Sequence, residues 1–173
     1  SYNQNEIIEM KETSQKNEFM FMRGHRIGSR SMYKFWKFYE GEQTKAEYEQ
    51  VFGTPFPTQL ITNIQPGDCV YVDLDKDGQI DDNDKTRDNG FTDDPEYMAG
   101  LNIGFSWKHF TFNAQLTGAW NVTRYITDVF SQPFYCASNT TQGGLLSYHV
   151  DNTWTEGINE DANALYPRAT WNN

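Results

Sequence analysis

Residues 97–120 alternate between apolar and small or polar side chains, and the alternation hardly breaks over their whole length. Before Lys108-His109 the odd-numbered positions are the apolar ones, and after it the even-numbered positions are. A period of two is typical of a β-strand whose faces meet different surroundings. The pattern predicts a hairpin whose strands have about the 9 to 11 residues that a tilted strand needs to cross a bilayer. One face of it holds Tyr97, Ala99, Leu101, Ile103, Phe105, Trp107, Phe110, Phe112, Ala114, Leu116, Gly118 and Trp120.

A soluble antiparallel sheet also alternates, so three further details are needed to favour a membrane. The polar face carries no Lys, Arg, Asp or Glu, aromatic residues gather near the strand ends, and the turn is tight while the flanking segments are long. We therefore expect a mainly β chain that forms part of a transmembrane antiparallel β-barrel. Residues 1–96 would be an extracellular loop region with strand remnants, a short helix and a calcium-type loop. Residues 97–120 would be the membrane-spanning hairpin, and residues 121–173 a long extracellular loop.

The short helix is expected from Thr44 to Phe52, because Thr44 and Glu47 have the spacing of a capping box and Gly53 follows. In the last segment, the run from Ser138 to Gly144 is rich in Asn, Thr, Ser and Gly and reads as external loop.

Twelve residues, Asp73 to Asp84, match the spacing of a calcium-binding loop. Gly78 stands at the sharp turn, and Ile80 at the eighth position is an apolar residue that can anchor the loop. Calcium is favoured over magnesium or zinc because the donors are all hard oxygens and no His or Cys lies among them. The ligands are predicted to be Asp73, Asp75, Asp77, the backbone carbonyl of Gln79, Asp81 and Asp84.

The site has one departure and one alternative. Asp84 stands where such loops usually have Glu, and its shorter side chain makes bidentate binding harder. Asp, Asn and Gly are also ordinary turn residues, so the segment could be a solvated acidic turn. Crowded carboxylates repel each other by about 1 kcal/mol per pair even in bulk water, which favours a bound cation with a structural role.

Charge and composition exclude several functions. The net charge is −10, and the segment from Asp68 to Glu96 has eleven carboxylates against three basic side chains, so we expect no nucleic-acid partner. A mean hydropathy of −0.78 with 16% aromatic residues argues against simple disorder. Cys69 and Cys136 are free thiols or one disulfide, and neither they nor the three histidines have catalytic or metal-binding spacing, so we expect no enzyme.

Five ordered motifs resemble the SusC/RagA type of TonB-dependent outer-membrane transporter. They are Arg23-Gly24 with Ile27-Gly28-Ser29, Pro66-Gly67-Asp68, the segment from Tyr71 to Asp84, the strand from Tyr97 to Trp107, and Trp154-Thr155 with the segment from Asn163 to Arg168. The resemblance covers residues 1 to 168 and the C-terminal part of that family. Cys69 and the longer loop between Trp154 and Asn163 depart from the family pattern.

The resemblance implies a 22-stranded barrel filled by an N-terminal plug, located in the bacterial outer membrane with its loops facing outward. It implies energy input through TonB, a SusD-like surface lipoprotein as partner, and import of glycan or peptide. The plug, the TonB-binding segment and most strands would lie outside these 173 residues.

The alternative is a soluble calcium-stabilised β module for adhesion or carbohydrate binding, with Trp36, Trp107, Trp120 or Trp154 stacking on sugar. The two hypotheses differ on Leu101, Ile103, Phe112 and Leu116. The soluble module requires these side chains to lie under a second sheet, whereas a barrel leaves them as an uncovered apolar band.

Overall fold

The computed structural model describes residues 1–12, 17–127, 130–131 and 144–169. The chain is mainly β, with few helices and small antiparallel sheets, and divides into two compact units. Unit 1 comprises residues 1–32 and 86–124, and unit 2 comprises residues 33–85 and 125–173. The elements are β1 (Met32–Tyr33), β2 (Phe35–Phe38), α1 (Glu42–Phe52), β3 (Cys69–Tyr71), β4 (Lys85–Thr86), β5 (Tyr97–Trp107), β6 (Phe110–Trp120) and α2 (Ser147–Asn152), with 3-10 turns at Glu18–Met20 and Asp82–Asp84.

The hairpin of unit 1 has the predicted strands and turn. β5 and β6 pair antiparallel without a bulge, from Tyr97 opposite Trp120 to Trp107 opposite Phe110. Because opposite residues share a face, the pairing keeps every apolar position of one strand beside an apolar or glycine position of the other. At its open end, Glu96 accepts hydrogen bonds from Asn121 Nδ2 at 2.5 Å and from Arg26 Nη2 at 2.7 Å.

The core of unit 2 is built from aromatic rings between α1 and the pair β2–β3. Tyr48 is fully buried, and its ring centroid lies 5.3 Å from that of Trp36 and 4.5 Å from that of Phe52. Val70 on β3 is also fully buried and belongs to the same cluster. Such ring pairs contribute about 0.5–1.5 kcal/mol each beyond the apolar area they bury, which lets a small unit with few aliphatic side chains hold together.

The predicted capping box of α1 is wrong, although the helix is present and ends at Phe52 as expected. The helix begins at Glu42, and Gly41 rather than Thr44 precedes its first turn. Thr44 is buried, and its hydroxyl accepts a hydrogen bond from the backbone N–H of Glu40, while Glu47 pairs with Lys37 at 2.9 Å. Gly53 ends the helix in the left-handed conformation with φ of 69°, which glycine adopts without a steric cost.

Three motifs that are far apart in sequence meet in unit 2. The indole ring of Trp154 lies directly on the backbone of Gly67, so closely that a β-carbon there would be 2.1 Å from Cε3. Asp68 is 2% exposed and binds Arg168 Nε at 2.6 Å, and Arg168 N–H also donates to the Gly67 carbonyl at 3.0 Å. The turn at residues 66–68 is thereby fixed by two segments near the C-terminal end.

The last part of the chain contains α2, which the sequence did not predict. Among the described residues, no helix is both long and apolar enough to cross a membrane. Cys69 forms no disulfide with any described residue, and Cys136 and the predicted external loop from Ser138 to residue 143 lie outside the described residues.

Candidate functional site

The aspartate loop of unit 2, residues 73–84, has its sharp turn at the glycine that the sequence suggested and is hydrogen-bonded to the segment at Thr58. β3 leads the chain into Asp73, and Gly78 makes the sharp turn with φ of 91°. Thr58 N–H donates to the Gly78 carbonyl at 3.0 Å, and Ile80 N–H donates to the Thr58 carbonyl at 2.8 Å. Ile80 is 6% exposed, which confirms it as the apolar anchor of the loop.

Three of the predicted ligands converge. One carboxylate oxygen from each of Asp73, Asp75 and Asp84 lies within 4.8 Å of the others. Calcium binds oxygen at about 2.3–2.6 Å, so oxygens on opposite sides of one ion are about 4.6–5.2 Å apart. The group therefore has the right size for a single hard cation, and its all-oxygen donors fit calcium or magnesium rather than zinc.

Hydrogen bonds from the loop backbone orient two of these carboxylates. Asp73 accepts from Lys76 N–H at 2.6 Å with one oxygen and from Gly78 N–H at 2.9 Å with the other. Asp84 Oδ1 accepts from Leu74 N–H at 2.7 Å, and its Oδ2 accepts from Asp81 N–H at 2.9 Å. A carboxylate offers about four lone-pair sites, so both side chains keep acceptor capacity for an ion. The loop is pre-shaped around the first and last aspartates.

In the described part of the chain, the three carboxylates have no ion pair with a basic side chain. Asp73 is 5% and Asp84 0% exposed, and within the described residues no Lys, Arg or His nitrogen lies within 4.0 Å of any of the three. Burial raises the pKa of Asp75, and the negative charges of Asp77, Asp73 and Asp81 add to this effect. Burial also raises the pKa of Asp84, against the lowering effect of its backbone hydrogen bonds. This burial fits a cation site better than a solvated acidic turn.

The carboxylates of Asp77 and Asp81 lie outside the converging group of Asp73, Asp75 and Asp84. Asp77 accepts from the backbone N–H and the side-chain amide of Gln79, at 3.0 and 3.2 Å. Asp81 caps the 3-10 turn by accepting from Asn83 N–H at 2.7 Å. Gln79 itself forms a parallel bridge with Thr58. These three residues shape the loop around the group formed by Asp73, Asp75 and Asp84.

One residue that sequence reasoning missed connects the loop to the core. The hydroxyl of Tyr48 accepts a hydrogen bond from Asp73 N–H at 3.0 Å, and its ring is the centre of the aromatic cluster. No local pattern marks a contact between residues 25 positions apart. Tyr48 is fully buried, so this hydrogen bond joins the loop to the packed interior of unit 2.

The hairpin surface of unit 1 is exposed on both faces. Leu101, Ile103, Phe112 and Leu116 are between 41% and 56% exposed, and every residue of β5 is exposed. Aliphatic and small residues occupy the middle of the apolar face. The aromatic residues lie at its two ends: Tyr97 and Trp120 at the open end, and Phe105, Trp107, Phe110 and Phe112 near the turn.

The tryptophans proposed for sugar stacking divide between core and surface. Trp36 and Trp154 belong to the packing of unit 2, with Trp154 only 5% exposed. Trp107 and Trp120 are exposed at opposite ends of the hairpin. The indole of Trp120 lies across Gly118 on the apolar face, where a β-carbon would be 2.8 Å from its ring.

Two of the three histidines lie in different units. His25 Nε2 lies 3.0 Å from Asp88 Oδ1 in unit 1. His149 is 1% exposed and packs against the ring of Tyr166, with centroids 5.4 Å apart. Comparison of the chain with protein-family models, with curated protein sequences and with solved structures found no match.

Proposed function

We propose that these residues are part of a SusC/RagA-type TonB-dependent outer-membrane importer, with β5 and β6 as neighbouring strands of its barrel wall. The observation that carries the proposal is the apolar face of the hairpin, which the described residues leave exposed, while the opposite face of the hairpin has no charged residue. Eleven residues per strand span about 36 Å, or about 25 Å at a tilt of 45°. That height matches the apolar band of about 25 Å on outer-membrane barrels.

The distribution of side chains along the hairpin also supports a membrane position. The rings at its two ends correspond to the aromatic girdles that flank the lipid-facing band of such barrels. Charged groups lie just outside the strands: Lys108 in the turn, and the pair of Arg26 and Glu96 at the open end. The short turn would face the periplasm and the long flanking segments the cell exterior.

In this proposal the aspartate loop is a structural calcium site in an extracellular segment. An ion that binds only the folded loop stabilises it by mass action. The hydrogen bond from Asp73 N–H to the Tyr48 hydroxyl connects the stabilised loop to the core of unit 2. The stiffened segment would help to form the vestibule where a SusD-like lipoprotein delivers oligosaccharide or peptide. TonB would act through the plug, which belongs to another part of the importer.

The soluble adhesion or carbohydrate-binding module finds less support. It needs a second sheet over Leu101 and Leu116, yet within the described residues both are more than half exposed. Two of its four candidate stacking tryptophans, Trp36 and Trp154, are occupied in the core of unit 2.

Sidedness in intact cells tests the importer. Single cysteines are placed at His109 and at Glu156, both exposed, in a Cys69→Ser/Cys136→Ser background of the full importer. A membrane-impermeant maleimide should label the cysteine at position 156 in intact cells, and the cysteine at position 109 only after the outer membrane is opened. Equal labelling of both positions in intact cells would contradict the proposed topology.

A further inference from the structure

Unit 1 contains a cavity of about 300 Å³ that is bounded by residues 24–29 and residues 87–92. This volume is at the lower end of the range for small-molecule sites. Neither the hairpin strands nor the aspartate loop contribute to its lining. The side chains that decide its chemistry are His25, Arg26, Ser29, Arg87, Asp88 and Phe91.

Two opposite charges line this cavity without contacting each other. Arg26 is already balanced, because its guanidinium lies 2.7 Å from a carboxylate oxygen of Glu96. In the described part of unit 1, Arg87 has no carboxylate oxygen within 4.0 Å, and the Asp88 carboxylate has only His25 Nε2, at 3.0 Å. The cavity therefore offers one cation and one anion that are both free to pair with a ligand.

Backbone contacts hold the Arg87 guanidinium in place. Its Nη1 donates to the Ser29 carbonyl at 2.5 Å, and its Nε donates to the Met20 carbonyl at 3.4 Å. A guanidinium has five N–H donors, so these two bonds leave three for a ligand. A guanidinium held in this way is suited to bind both oxygens of a carboxylate.

Acceptor atoms and an aromatic ring complete the lining. Because a carboxylate only accepts, the bond to Asp88 places a proton on His25 Nε2, and Nδ1 of the neutral ring is then an acceptor. His25 Nδ1 and Ser29 Oγ are buried and have no hydrogen-bond partner among the described residues, which costs free energy unless a partner is supplied. The ring of Phe91 adds apolar surface, with the Arg26 guanidinium 5.6 Å from its centroid.

We propose that this cavity binds a small zwitterion, a free α-amino acid, with its carboxylate on Arg87 and its ammonium on Asp88. Charge decides between the ligand classes. A plain carboxylate or phosphate would meet the negative charge of Asp88, and a plain amine would meet the positive charge of Arg87. A zwitterion pairs with both charges. The proposal does not depend on whether the hairpin meets lipid.

Three ligands with a shared carbon skeleton test the charge requirement. Alanine carries both charges, propionate lacks the ammonium group, and ethylamine lacks the carboxylate. In saturation-transfer NMR with the intact purified protein, alanine should bind about tenfold more tightly than propionate or ethylamine, because each of those loses one charged hydrogen-bonding group. Equal affinities for the three ligands, or no binding of alanine, would overturn the proposal.

The Asp88→Asn variant separates charge recognition from a loss of structure. The Asp88 side chain is 75% exposed, and Asn can still accept the bond from His25, so the unit should stay folded. Alanine should bind about five- to tenfold more weakly. Propionate should bind at least as tightly as before, because a charge that repels its carboxylate is removed. A parallel loss of both ligands, or an unchanged affinity for alanine, would refute the role of Asp88.

Asp93→Asn is the matched control in the same unit. It makes the same charge change at a side chain that is 50% exposed, pairs with Arg30 and lies outside the cavity lining. The affinity for alanine should equal that of the parent protein. A loss as large as that of Asp88→Asn would show a general charge effect and overturn the assignment of the cavity.

Discussion

Substitution of Asp75 by Asn should stabilise unit 2 without calcium and weaken its response to calcium. Asp75 has an oxygen within 4.8 Å of oxygens of both Asp73 and Asp84. Two unit charges at that distance repel by about 0.9 kcal/mol in water and about 3.5 kcal/mol at an effective dielectric constant of 20. Asn removes this repulsion and can still accept the hydrogen bond that Asp77 N–H donates to Asp75 Oδ1 at 3.2 Å. Removing one charge should therefore raise the free energy of unfolding by about 1–3 kcal/mol in chelator.

Calcium should reduce the difference in stability between the two proteins. Extracellular calcium modules have dissociation constants of about 0.1–1 mM, so 10 mM calcium should stabilise the parent protein by about 1.4–2.7 kcal/mol. The Asp75→Asn variant has a less negative site and should gain less.

Urea unfolding followed by the fluorescence of the core residues Trp36 and Trp154 measures both effects. Asp82→Asn is the matched control, because it makes the same charge change at a side chain that is 88% exposed, paired with Lys85 and outside the converging group. Equal shifts for the two variants, or a parent protein that does not respond to calcium, would refute the reasoning.

Three further predictions follow from unit 2 and its loop. Gly67→Ala should lower the free energy of unfolding by about 2–5 kcal/mol, because it adds backbone strain at φ of 86° and places a β-carbon 2.1 Å from Trp154. The control Gly53→Ala has a similar φ of 69° but open space around it, and should lower the free energy of unfolding by about 1–2 kcal/mol. Similar urea midpoints for the two variants would contradict the Trp154 contact. Arg168→Gln should lower the free energy of unfolding by about 1–3 kcal/mol, because Asp68 stays buried without its charged partner. A urea midpoint equal to that of the parent protein would contradict the ion pair. Because burial raises the pKa of Asp75 and Asp84, the calcium-free protein should gain stability as the pH falls through these raised pKa values. Over the same pH range, the calcium affinity measured by calorimetry should fall, because protonated carboxyl groups bind calcium less well. A calcium affinity that does not change with pH there would exclude Asp75 and Asp84 as ligands.

Local patterns made the hairpin predictable from sequence. A period of two needs only neighbouring residues, and it correctly located β5, β6 and the turn at Lys108-His109. The spacing of the loop likewise indicated the candidate ligands. Which of them converge depends on backbone hydrogen bonds: Asp73 and Asp84 are turned inward, whereas Asp77 and Asp81 are held in their own turns.

Contacts between distant segments had no sequence signal. Arg168 and Asp68 are 100 residues apart, and nothing in either segment indicates that they pair. The capping box failed for a related reason: Thr44 bonds back to Glu40, and Glu47 is drawn to Lys37 near β2, so the helix begins earlier. Tertiary partners decided both outcomes.

The central claim is that the apolar face of the hairpin meets lipid, and spin labels at four paired positions test it most directly. Leu101 lies opposite Leu116 on the apolar face, and Asn102 lies opposite Gln115 on the polar face. In the proposed importer, placed in lipid bilayers, labels at positions 101 and 116 should collide readily with oxygen and rarely with a water-soluble nickel complex. Labels at positions 102 and 115 should collide more with the nickel complex than their neighbours do. If neither oxygen nor the nickel complex reaches the labels at positions 101 and 116, another part of the protein covers this face, which would contradict the claim that it meets lipid.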